Sequence, residues 1–297
     1  MENKGRTALV TGASSGIGRK TAIKLAENGF QVIGAARRMD RLVELSDQFK
    51  NIIPKKVDLS IPEDTERFCQ EIKGLPEPVS VLINTAGYSI RGTLEDVSME
   101  AARRIFEVNF FSLISVTRAC LPGMRRFREG TIINLSSIVG KFAFPMGGVY
   151  AATKYAVEGI SDALRMELRP LGIRVVAIRP GVIATEFNAV ATEMTGDLMS
   201  MTDPDYKPIY DAVGTGVGKM FAGLAIPDPD LIANIILEAV RSESPKSSYS
   251  AGPFTEEILS KRFLLDDDTF DRFWTEKIGI AELKIDKTET TPAVKTA

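Results

Sequence analysis

The sequence contains no histidine among its 297 residues. This absence excludes Ser-His-Asp and Cys-His nucleophilic catalysis, and it excludes metal sites that depend on histidine ligands. Proton transfer must therefore depend on tyrosine, lysine, a carboxylate or a bound cofactor. Residues 266–268 are three consecutive aspartates, but no further ligand spacing accompanies them. We interpret them as a solvated loop and predict no metal site.

Cysteines, long apolar runs and an excess of one charge are also scarce. Cys69 and Cys120 are the only two cysteines, too few and too distant for a disulfide or zinc framework, so we expect reduced core residues. No apolar run reaches the roughly 18–20 residues of a membrane span, and no signal-peptide pattern precedes the first strand. The net charge is −2 with both signs interspersed, so neither nucleic acid nor an anionic membrane is an expected partner. We predict a cytoplasmic protein.

Short apolar segments alternate with longer segments of helical periodicity along most of the chain. Near-continuous apolar strands that alternate with helices indicate a parallel sheet covered on both faces and joined by right-handed crossovers. The predicted fold class is therefore α/β, a doubly wound parallel sheet of the Rossmann type. The predicted strands are 7–10, 31–35, 52–57, 79–84, 131–135, 174–178 and 248–251, and the predicted helices are 16–28, 39–49, 62–73, 98–127, 149–169 and 229–242.

The regular pattern loosens after residue 181. Residues 182–228 contain scattered Gly, Pro, Thr and Met without steady periodicity, and they are longer than an ordinary connection. We interpret this segment as a lid over a substrate crevice, with a surface insertion as the alternative. No linker or repeat divides the chain, so we predict a single domain over 1–280 and a flexible tail over 281–297.

A glycine-rich turn follows the first predicted strand, with the sequence Thr-Gly-Ala-Ser-Ser-Gly-Ile-Gly at positions 11–18. Glycines allow a tight turn and close backbone approach, and the following helix N-terminus offers free N–H groups and a positive dipole to a pyrophosphate. In this context the turn predicts dinucleotide binding, although its spacing differs from G-x-G-x-x-G. A plain glycine-rich turn is the alternative.

Tyr150 and Lys154 are spaced i, i+4 within a predicted helix, which puts both side chains on one face. A lysine cation beside a phenol favours the phenolate and lowers the tyrosine pKa from its usual value of about 10. The pair would then supply an acid–base group near neutral pH. By itself the spacing also fits a solvated helix face, but Ser137 lies thirteen residues upstream and the glycine turn precedes both.

The glycine turn, Ser137, Tyr150 and Lys154 together resemble the short-chain dehydrogenase/reductase family, in its subgroup with T-G-x-x-x-G-x-G and Y-x-x-x-K motifs. The resemblance covers roughly residues 5–190, and the later part is most similar to 17β-hydroxysteroid-dehydrogenase-like members. It implies a three-layer Rossmann fold of about seven strands. It also implies an oxidoreductase that transfers hydride between a nicotinamide and a ketone or secondary alcohol.

The resemblance assigns roles to four catalytic residues. Ser137 and Tyr150 would hydrogen-bond the carbonyl oxygen, and Tyr150 would protonate the developing alkoxide. Lys154 would hold the nicotinamide ribose and stabilise the tyrosinate. Asn109, whose residue type is unfavourable inside a helix, would anchor a water that returns protons from solvent.

The implied cofactor-binding residues lie in the glycine turn, at strand ends and beside the catalytic pair. The N-N-A-G of the family is here Asn84-Thr85-Ala86-Gly87, with threonine replacing the second asparagine. Asp58 would contact adenine, with an ordinary turn residue as the alternative. The full set is Gly12, Ser14, Ser15, Gly16, Ile17, Gly18, Arg37, Asp58, Asn84, Ala86, Gly87, Tyr150, Lys154, Pro180, Gly181, Val182 and Thr185.

The end of the second predicted strand favours NADP(H). An acidic residue there accepts a hydrogen bond from the ribose 2′-hydroxyl of NAD, whereas arginine suits the 2′-phosphate of NADP. The acidic position falls on Ala36, and Arg37 follows directly. Because a guanidinium pairs well with phosphate, we predict NADP(H) as the cofactor. The alternative is that Arg37 and Arg38 are solvated charges.

Apolar side chains dominate the loops at the expected carboxyl edge of the sheet, where open α/β sheets bind ligands. They predict a hydrophobic carbonyl or alcohol substrate that is steroid-, retinoid- or acyl-like. Packing within the lid or a subunit contact is the alternative, and the family resemblance implies a homodimer or homotetramer. These residues are Tyr88, Ile90, Phe142, Phe144, Met146, Phe187, Met194, Met199 and Met201.

Two other functions stay open. A catalytically silent NADPH-binding sensor or scaffold would need only the glycine turn and Arg37, whereas the presence of Ser137, Tyr150 and Lys154 favours an enzyme. A sugar-nucleotide epimerase or dehydratase usually carries a different glycine spacing and a longer C-terminal domain, and this sequence shows neither.

Overall fold

The computed structural model describes residues 6–187 and 202–285. Its strands are β1 (Thr7–Thr11), β2 (Gln31–Ala36), β3 (Ile52–Lys56), β4 (Val79–Asn84), β5 (Gly130–Leu135), β6 (Ile173–Pro180) and β7 (Ser248–Ala251). They form one seven-stranded sheet in the order β3-β2-β1-β4-β5-β6-β7, and all neighbouring pairs are parallel. The prediction of a doubly wound parallel α/β fold is confirmed.

Helices cover both faces of this sheet and produce three layers. They are α1 (Gly16–Glu27), α2 (Met39–Gln48), α3 (Pro62–Lys73), α4 (Met99–Phe106), α5 (Ser112–Phe127), α6 (Gly148–Leu168), α7 (Lys207–Phe221), α8 (Asp230–Arg241), α9 (Thr255–Leu264) and α10 (Asp267–Lys277). One core cluster contains Leu25, Leu45 and Ile236 from α1, α2 and α8. A second contains Cys69 and Cys120 from α3 and α5, both free and buried as expected. Each fully buried leucine or isoleucine contributes about 1.5–3 kcal/mol to folding.

The strand order reverses between β1 and β4. A ligand-binding crevice is expected at this point of the sheet. Thr11 at the end of β1 is in register with Asn84 at the end of β4. The hydroxyl of Thr85 donates to the carbonyl of Thr11, and the backbone N–H of Ala86 donates to the Thr11 hydroxyl at 3.2 Å. These bonds hold the two strand ends together at the place where open α/β sheets bind ligands.

The helix predicted over 98–127 contains a π-helical turn at Glu107–Phe111, between α4 and α5. Such a turn adds one residue to the helical repeat and is frequent at functional sites. Asn109 lies within it and is 2% exposed. The unfavourable mid-helix asparagine therefore lies in a π-helical turn and not in a regular α-helix. Hydrophobic periodicity alone does not predict this turn.

The helical stretch Met99–Phe127 contains an 18-residue window with a mean hydropathy of 1.2, so by length and composition alone it could cross a membrane. Within the fold, however, its buried side chains belong to the protein core. Val116, Ala119 and Met124 pack in the same cluster as strand residues of the sheet. A core helix of this kind satisfies the same length and composition criteria as a membrane span.

The region after β6 is more regular than its sequence suggests. The predicted irregular segment 182–228 includes the helix α7, and its residues 188–201 lie outside the described part of the chain. The sequence did not predict α7 because the helix contains Gly214, Gly216 and Gly218. Each glycine lowers helix propensity by about 1 kcal/mol relative to alanine. Gly216 is required by packing, since a Cβ there would lie 1.9 Å from the carbonyl oxygen of Ile278.

Helices α9 and α10 were also not predicted, and the interpretation of residues 266–268 as a loop was wrong. Asp266 caps α10, because its carboxylate accepts a hydrogen bond from the backbone N–H of Thr269 at 2.8 Å. Asp267 and Asp268 form the first turn of the helix, where negative charge is favourable. The three aspartates therefore begin a helix. Across residues 6–187 and 202–285, no group of three or more potential ligands could hold a metal ion.

Candidate active site

A cavity of about 1120 Å³ opens at the carboxyl ends of the strands. Its walls come from the glycine turn, the ends of β2 to β6, α6, α7 and the C-terminal helices. Most of the predicted site residues line it, and the two exceptions are Asn84 and Asn109. Those that line it are Gly12, Ser14, Ser15, Gly16, Ile17, Gly18, Arg37, Asp58, Ala86, Gly87, Ser137, Tyr150, Lys154, Pro180, Gly181, Val182 and Thr185.

The glycine turn forms a cradle that side chains would fill. Gly12 has a φ of +72°, and a Cβ there would lie 3.0 Å from the backbone of Ala86. At Gly18 a Cβ would lie 2.3 Å from the carbonyl oxygen of Gly12. The N-cap residue of α1, Ser15, makes no side-chain capping bond, and the first turn of α1 has no acidic residue. The turn therefore leaves the positive end of the helix available to an anion such as a pyrophosphate.

Arg38 lies directly beside this cradle, although only Arg37 was predicted there. Its Nη2 donates to Ser15 Oγ at 2.6 Å and its Nε donates to Ser14 Oγ at 3.3 Å. Its third contact is an ion pair with Glu186 at 2.7 Å, and Arg41 binds the same carboxylate at 2.5 Å. The adjacent arginines Arg37 and Arg38 could have indicated a role for Arg38. Its ion pair with Glu186 could not be predicted from local sequence, because the two residues are 148 positions apart.

The predicted 2′-phosphate region contains Arg37 and Asp58. Arg37 is exposed at the end of β2 and lines the cavity next to Ala36. Asp58 accepts hydrogen bonds from the backbone N–H and the hydroxyl of Ser60 at 2.9 and 2.7 Å. Burial would raise the pKa of Asp58, but the Ser60 bonds and the charges of Arg37 and Arg104 outweigh it and lower that pKa. Asp58 therefore makes the contacts of an ordinary turn residue, which was the alternative interpretation. It also lines the cavity.

Tyr150, Ser137 and Lys154 meet on one wall of the cavity. Ser137 follows β5 as the N-cap of a short 3-10 helix, with its hydroxyl 3.4 Å from the Pro180 carbonyl oxygen. Tyr150, in the first turn of α6, is 8% exposed and is hydrogen-bonded to Ser137. Lys154 donates from Nζ to the Leu135 carbonyl oxygen at 2.8 Å and lies 5.8 Å from the centre of the Tyr150 ring. These contacts bring the two hydroxyls and the ammonium together on one wall of the cavity.

The expectation that the pKa of Tyr150 is lowered was wrong. Burial raises the pKa of Tyr150 to about 12, while the hydrogen bond with Ser137 and the charge of Arg91 act in the opposite direction. Burial also lowers the pKa of Lys154 to about 8, against the charge of Glu158. The Lys154 ammonium donates to the Leu135 carbonyl, and burial of the Tyr150 phenol outweighs the opposing effects of Ser137 and Arg91 on its pKa. With its pKa raised to about 12, Tyr150 is a neutral phenol at pH 7.

A buried carboxylate lies on the same helix as Tyr150 and Lys154. Glu158, one helical turn after Lys154 and 3% exposed, accepts two hydrogen bonds from Arg179 at 2.8 and 2.7 Å. It also pairs with Lys141 at 3.1 Å. Burial would raise the pKa of Glu158, but the bonds from Arg179 and Ser136 and the two cations lower it. Glu158 therefore connects α6, β6 and the segment after β5, and sequence analysis had not identified it.

The side chain of Asn109 binds the backbone of Tyr88. Its Oδ1 accepts from the N–H of Tyr88 at 3.0 Å, and its Nδ2 donates to the Tyr88 carbonyl at 2.9 Å and to the Thr153 hydroxyl at 3.1 Å. A Cβ at Gly87 would lie 3.1 Å from Asn109 Oδ1 and 3.8 Å from Lys154 Nζ. Asn109 is thus adjacent to the lysine, although its side chain does not line the cavity.

Asn84 is directed away from the cavity. Its Nδ2 donates to Asn134 Oδ1 at 2.9 Å and to the Thr117 hydroxyl at 3.2 Å, inside the fold. Asn134 in turn donates to Ser161 at 2.9 Å. The side chain of Asn84 belongs to this internal polar network between β4, β5 and the helices, so the predicted cofactor contact of this side chain finds no support in its position.

The remainder of the cavity is largely apolar. Of the predicted apolar set, Tyr88, Phe142, Phe144, Met146 and Phe187 line it, and Ile90 is buried beside it. Positions 194, 199 and 201 lie outside the described residues. Further lining residues that were not predicted are Tyr210, Val213, Val217, Met220, Phe221, Ile258 and Trp274 from α7, α9 and α10.

Comparison with known proteins agrees with this geometry. The family model for short chain dehydrogenase matches residues 6–196. The chain is 33% identical over 269 residues to the uncharacterized oxidoreductase YbbO of Escherichia coli K12, covering 90% of this chain and 93% of that protein. It is 38% identical over 190 residues to a 3-ketodihydrosphingosine reductase of Bacteroides thetaiotaomicron, covering 63% of this chain and 68% of that protein.

A solved structure extends the comparison to the fold. The closed form of a serine dehydrogenase in complex with NADP⁺ has a TM-score of 0.71 and 26% identity to this chain, covering 84% of this chain and 95% of that one. The family model and the sequence relatives together cover the strands, the glycine turn and the cavity wall with Ser137, Tyr150 and Lys154. On these grounds the chain is an oxidoreductase that belongs to the short chain dehydrogenase family.

Proposed function

We propose that this protein is an NADP(H)-dependent reductase that interconverts a hydrophobic ketone and its secondary alcohol. The observation that carries the proposal is the position of Ser137, Tyr150 and Lys154 on one wall of a cavity that begins at the glycine turn. A hydroxyl pair beside a cation is suited to a carbonyl oxygen that gains negative charge during reduction.

Residues of the chain bind and orient the substrate carbonyl and donate a proton to it. Ser137 and Tyr150 hydrogen-bond the carbonyl oxygen, and Tyr150, a neutral phenol at pH 7, transfers its hydroxyl proton to that oxygen. Lys154 holds a ribose hydroxyl and offsets the negative charge left on Tyr150. A bound nicotinamide supplies or accepts the hydride. Asn109 holds the Tyr88 backbone against Gly87, beside Lys154, and in our proposal it also orients the water that returns protons from solvent.

The cofactor region supports NADP(H). The cradle at Gly12 and Gly18 accommodates a pyrophosphate at the start of α1, and Ala36 at the end of β2 provides no carboxylate for a ribose 2′-hydroxyl. Arg37 and Arg38 provide two guanidinium groups at the same edge. A structural relative of the family binds NADP⁺, according to its description. We therefore propose that Arg37 contacts the 2′-phosphate and that Arg38 contacts the phosphate side of the cradle.

Replacing Arg37 by aspartate is expected to reverse the cofactor preference. The ratio of kcat/KM for NADPH to that for NADH should fall about 10–100-fold, because a charge-assisted hydrogen bond contributes roughly 1.5–3 kcal/mol. Steady-state rates with each cofactor measure this ratio. Lys50→Asp makes the same charge change at an exposed position outside the cavity and should leave the ratio unchanged. Equal use of NADH and NADPH by the wild-type protein would contradict the assignment.

The apolar walls support a hydrophobic substrate. Phe142, Phe144, Met146 and Phe187 lie on the catalytic side of the cavity, and the Tyr150 and Phe187 rings are 5.7 Å apart. One relative is named for reduction of a ketone on a long-chain base. Steroid-, retinoid- or acyl-like carbonyls therefore remain the proposed class, with the segment 182–228 as the proposed lid. A 17β-hydroxysteroid-dehydrogenase-like subgroup, a cytoplasmic location and a homodimer or homotetramer remain parts of this proposal.

A screen of NADPH oxidation tests the function. We expect apolar ketones to be reduced with a higher kcat/KM than short polar carbonyls. The screen contains steroid, retinoid, acyl and short polar carbonyls, each assayed with the wild-type protein and with Tyr150→Phe. Better turnover of short polar carbonyls would contradict the substrate class. NADPH binding without turnover of any carbonyl would favour the sensor or scaffold.

A further inference from the structure

Helix α7 forms a large part of the apolar wall of the cavity. The side chains that it contributes to this wall include Tyr210, Val213, Val217, Met220 and Phe221. Val213 belongs to the same apolar cluster as Tyr150, so the wall continues to the proposed catalytic residues. Because the three glycines of α7 weaken its own helix propensity, its position depends on contacts with other elements.

Tyr210 joins the first half of α7 to the segment between β4 and α4. Its ring is 2% exposed and lines the cavity. Its hydroxyl donates to the carboxylate of Asp96 at 2.6 Å and accepts from the backbone N–H of Thr93 at 3.1 Å. The buried phenol therefore has a partner both as a donor and as an acceptor, which fixes the direction of the side chain.

Asp96 accepts hydrogen bonds from three hydroxyl groups. Its Oδ2 accepts from Tyr210 at 2.6 Å, from the side chain of Thr93 at 2.6 Å and from Thr202 at 2.9 Å. Burial would raise the pKa of Asp96, but these bonds outweigh it and lower that pKa. Hydrogen bonds to an ionised carboxylate are roughly twice as strong as those between neutral groups. Asp96 is thus the polar anchor of α7.

The segment that carries Asp96 is itself joined to the catalytic side of the cavity. The N–H of Gly92 donates to the carbonyl of Met146 at 2.8 Å, and Met146 lines the cavity. Ile90, in the same segment, is 2% exposed and packs in the cluster that contains Tyr150. The bond between Asp96 and Tyr210 therefore connects α7 to the part of the fold that surrounds the reacting carbonyl.

We propose that Asp96 is a positioning residue for substrate binding, which acts through Tyr210 to hold α7 against the apolar body of the substrate. This inference rests on the proposed reductase function and adds a determinant of its affinity for long apolar ketones. Without the bond, α7 is in the binding position for a smaller fraction of the time, and the apparent affinity falls with that fraction. A saturating substrate selects the binding position, so kcat is retained.

Tyr210→Phe removes the hydroxyl and retains the ring. With octan-2-one we expect KM to rise about 3–30-fold while kcat stays within about threefold of the wild-type value. Butan-2-one has little apolar body to contact α7, so its KM should change less than about threefold. A general loss of structure would change both ketones alike and would lower kcat. The ratio of the two KM values therefore reports positioning by α7.

Tyr206→Phe is the matched control. Tyr206 is the N-cap residue of α7, donates to Glu95 at 2.7 Å in an exposed hydrogen bond and does not line the cavity. This variant should leave the KM for octan-2-one unchanged. An equal rise of that KM in Tyr206→Phe and Tyr210→Phe would overturn the specific role of the bond to Asp96.

A double-mutant cycle tests whether Asp96 and Tyr210 act as a pair. Asp96→Asn retains an acceptor oxygen without the charge, so it should raise the KM for octan-2-one less than Tyr210→Phe does. The double variant should be no worse than Tyr210→Phe, because both substitutions act through one bond. Additive effects would contradict the pairing. If Tyr210→Phe does not bind NADPH with wild-type affinity, Asp96→Asn takes its place in the kinetic comparison.

Hydrogen exchange reports the position of α7 directly. The backbone amides of the helix should exchange faster in Tyr210→Phe than in the wild-type protein, whereas Tyr206→Phe should leave them unchanged. A rise in KM without faster exchange would mean that the Tyr210 hydroxyl contacts the substrate itself, and it would overturn the role of Asp96.

A binding measurement separates this inference from the reductase function. Calorimetry with octan-2-one and Tyr150→Phe saturated with NADPH gives the affinity without turnover. Weaker binding when Tyr210→Phe is added supports the inference even if no ketone is reduced. Equal affinity with and without Tyr210→Phe overturns the inference, while reduction of octan-2-one by the wild-type protein would leave the reductase function intact.

Discussion

Replacing Tyr150 by phenylalanine is expected to lower kcat for carbonyl reduction about 10²–10⁴-fold, the usual contribution of a positioned general acid. The substitution removes the hydroxyl that is hydrogen-bonded to Ser137 and retains the ring that packs 5.7 Å from Phe187. The pKa of about 12 keeps the phenol protonated at neutral pH, so the proton is available for donation. Single-turnover reduction with bound NADPH measures the loss without interference from product release.

Tyr155→Phe is the matched control for this experiment. Tyr155 lies on the same helix α6, is 44% exposed and does not line the cavity. Its variant should reduce the same substrate at nearly the wild-type rate. Both variants should bind NADPH with wild-type affinity. A Tyr150→Phe protein that binds NADPH and retains its rate would show that another group donates the proton.

Replacing Glu158 by glutamine is expected to have the largest effect on stability. The substitution leaves the guanidinium of Arg179 and the ammonium of Lys141 without the buried carboxylate that they share. Breaking a buried ion pair on one side lowers the free energy of unfolding by about 3–5 kcal/mol. For a chain of this size, the melting temperature should fall by roughly 5–15 °C. Glu167→Gln changes an exposed carboxylate on the same helix and should change the melting temperature little.

The same variant also has an expected effect on the pH dependence of catalysis. Burial lowers the pKa of Lys154 to about 8, and the charge of Glu158 opposes that shift. Without the carboxylate the pKa of Lys154 should fall further, so the ammonium is lost at lower pH. The alkaline decline of kcat/KM should therefore move to lower pH in Glu158→Gln and stay in place in Glu167→Gln. A decline at the wild-type pH in both variants would mean that Glu158 has a structural role only.

Local sequence was sufficient for the sheet and for most of the cavity lining. Strands β1, β4 and β5 are short, largely apolar runs, and the glycines at 12, 16 and 18 lie where a turn leads into the N-terminus of α1. The i, i+4 spacing of Tyr150 and Lys154 put both on one face of α6, as predicted. These features depend on neighbours a few residues apart, so they can be predicted from periodicity and turn chemistry.

The features that the sequence did not predict depend on contacts between distant segments of the chain. The pKa of Tyr150 is determined by burial, which depends on how α6 packs in the folded chain. Arg38 owes its position to Glu186, which is 148 residues away. Helix α7 contains three glycines, so its propensity is weak and its packing against Ile278 stabilises it instead.

Transfer of deuterium from NADPH labelled at nicotinamide C4 is the most direct test of the proposed function. The wild-type protein is mixed with labelled NADPH and the best ketone of the screen, and the product alcohol is examined by mass spectrometry. We expect one deuterium at the carbinol carbon, and we expect Tyr150→Phe to form this product about 10²–10⁴-fold more slowly. Tight NADPH binding with no deuterium in any alcohol product would contradict it.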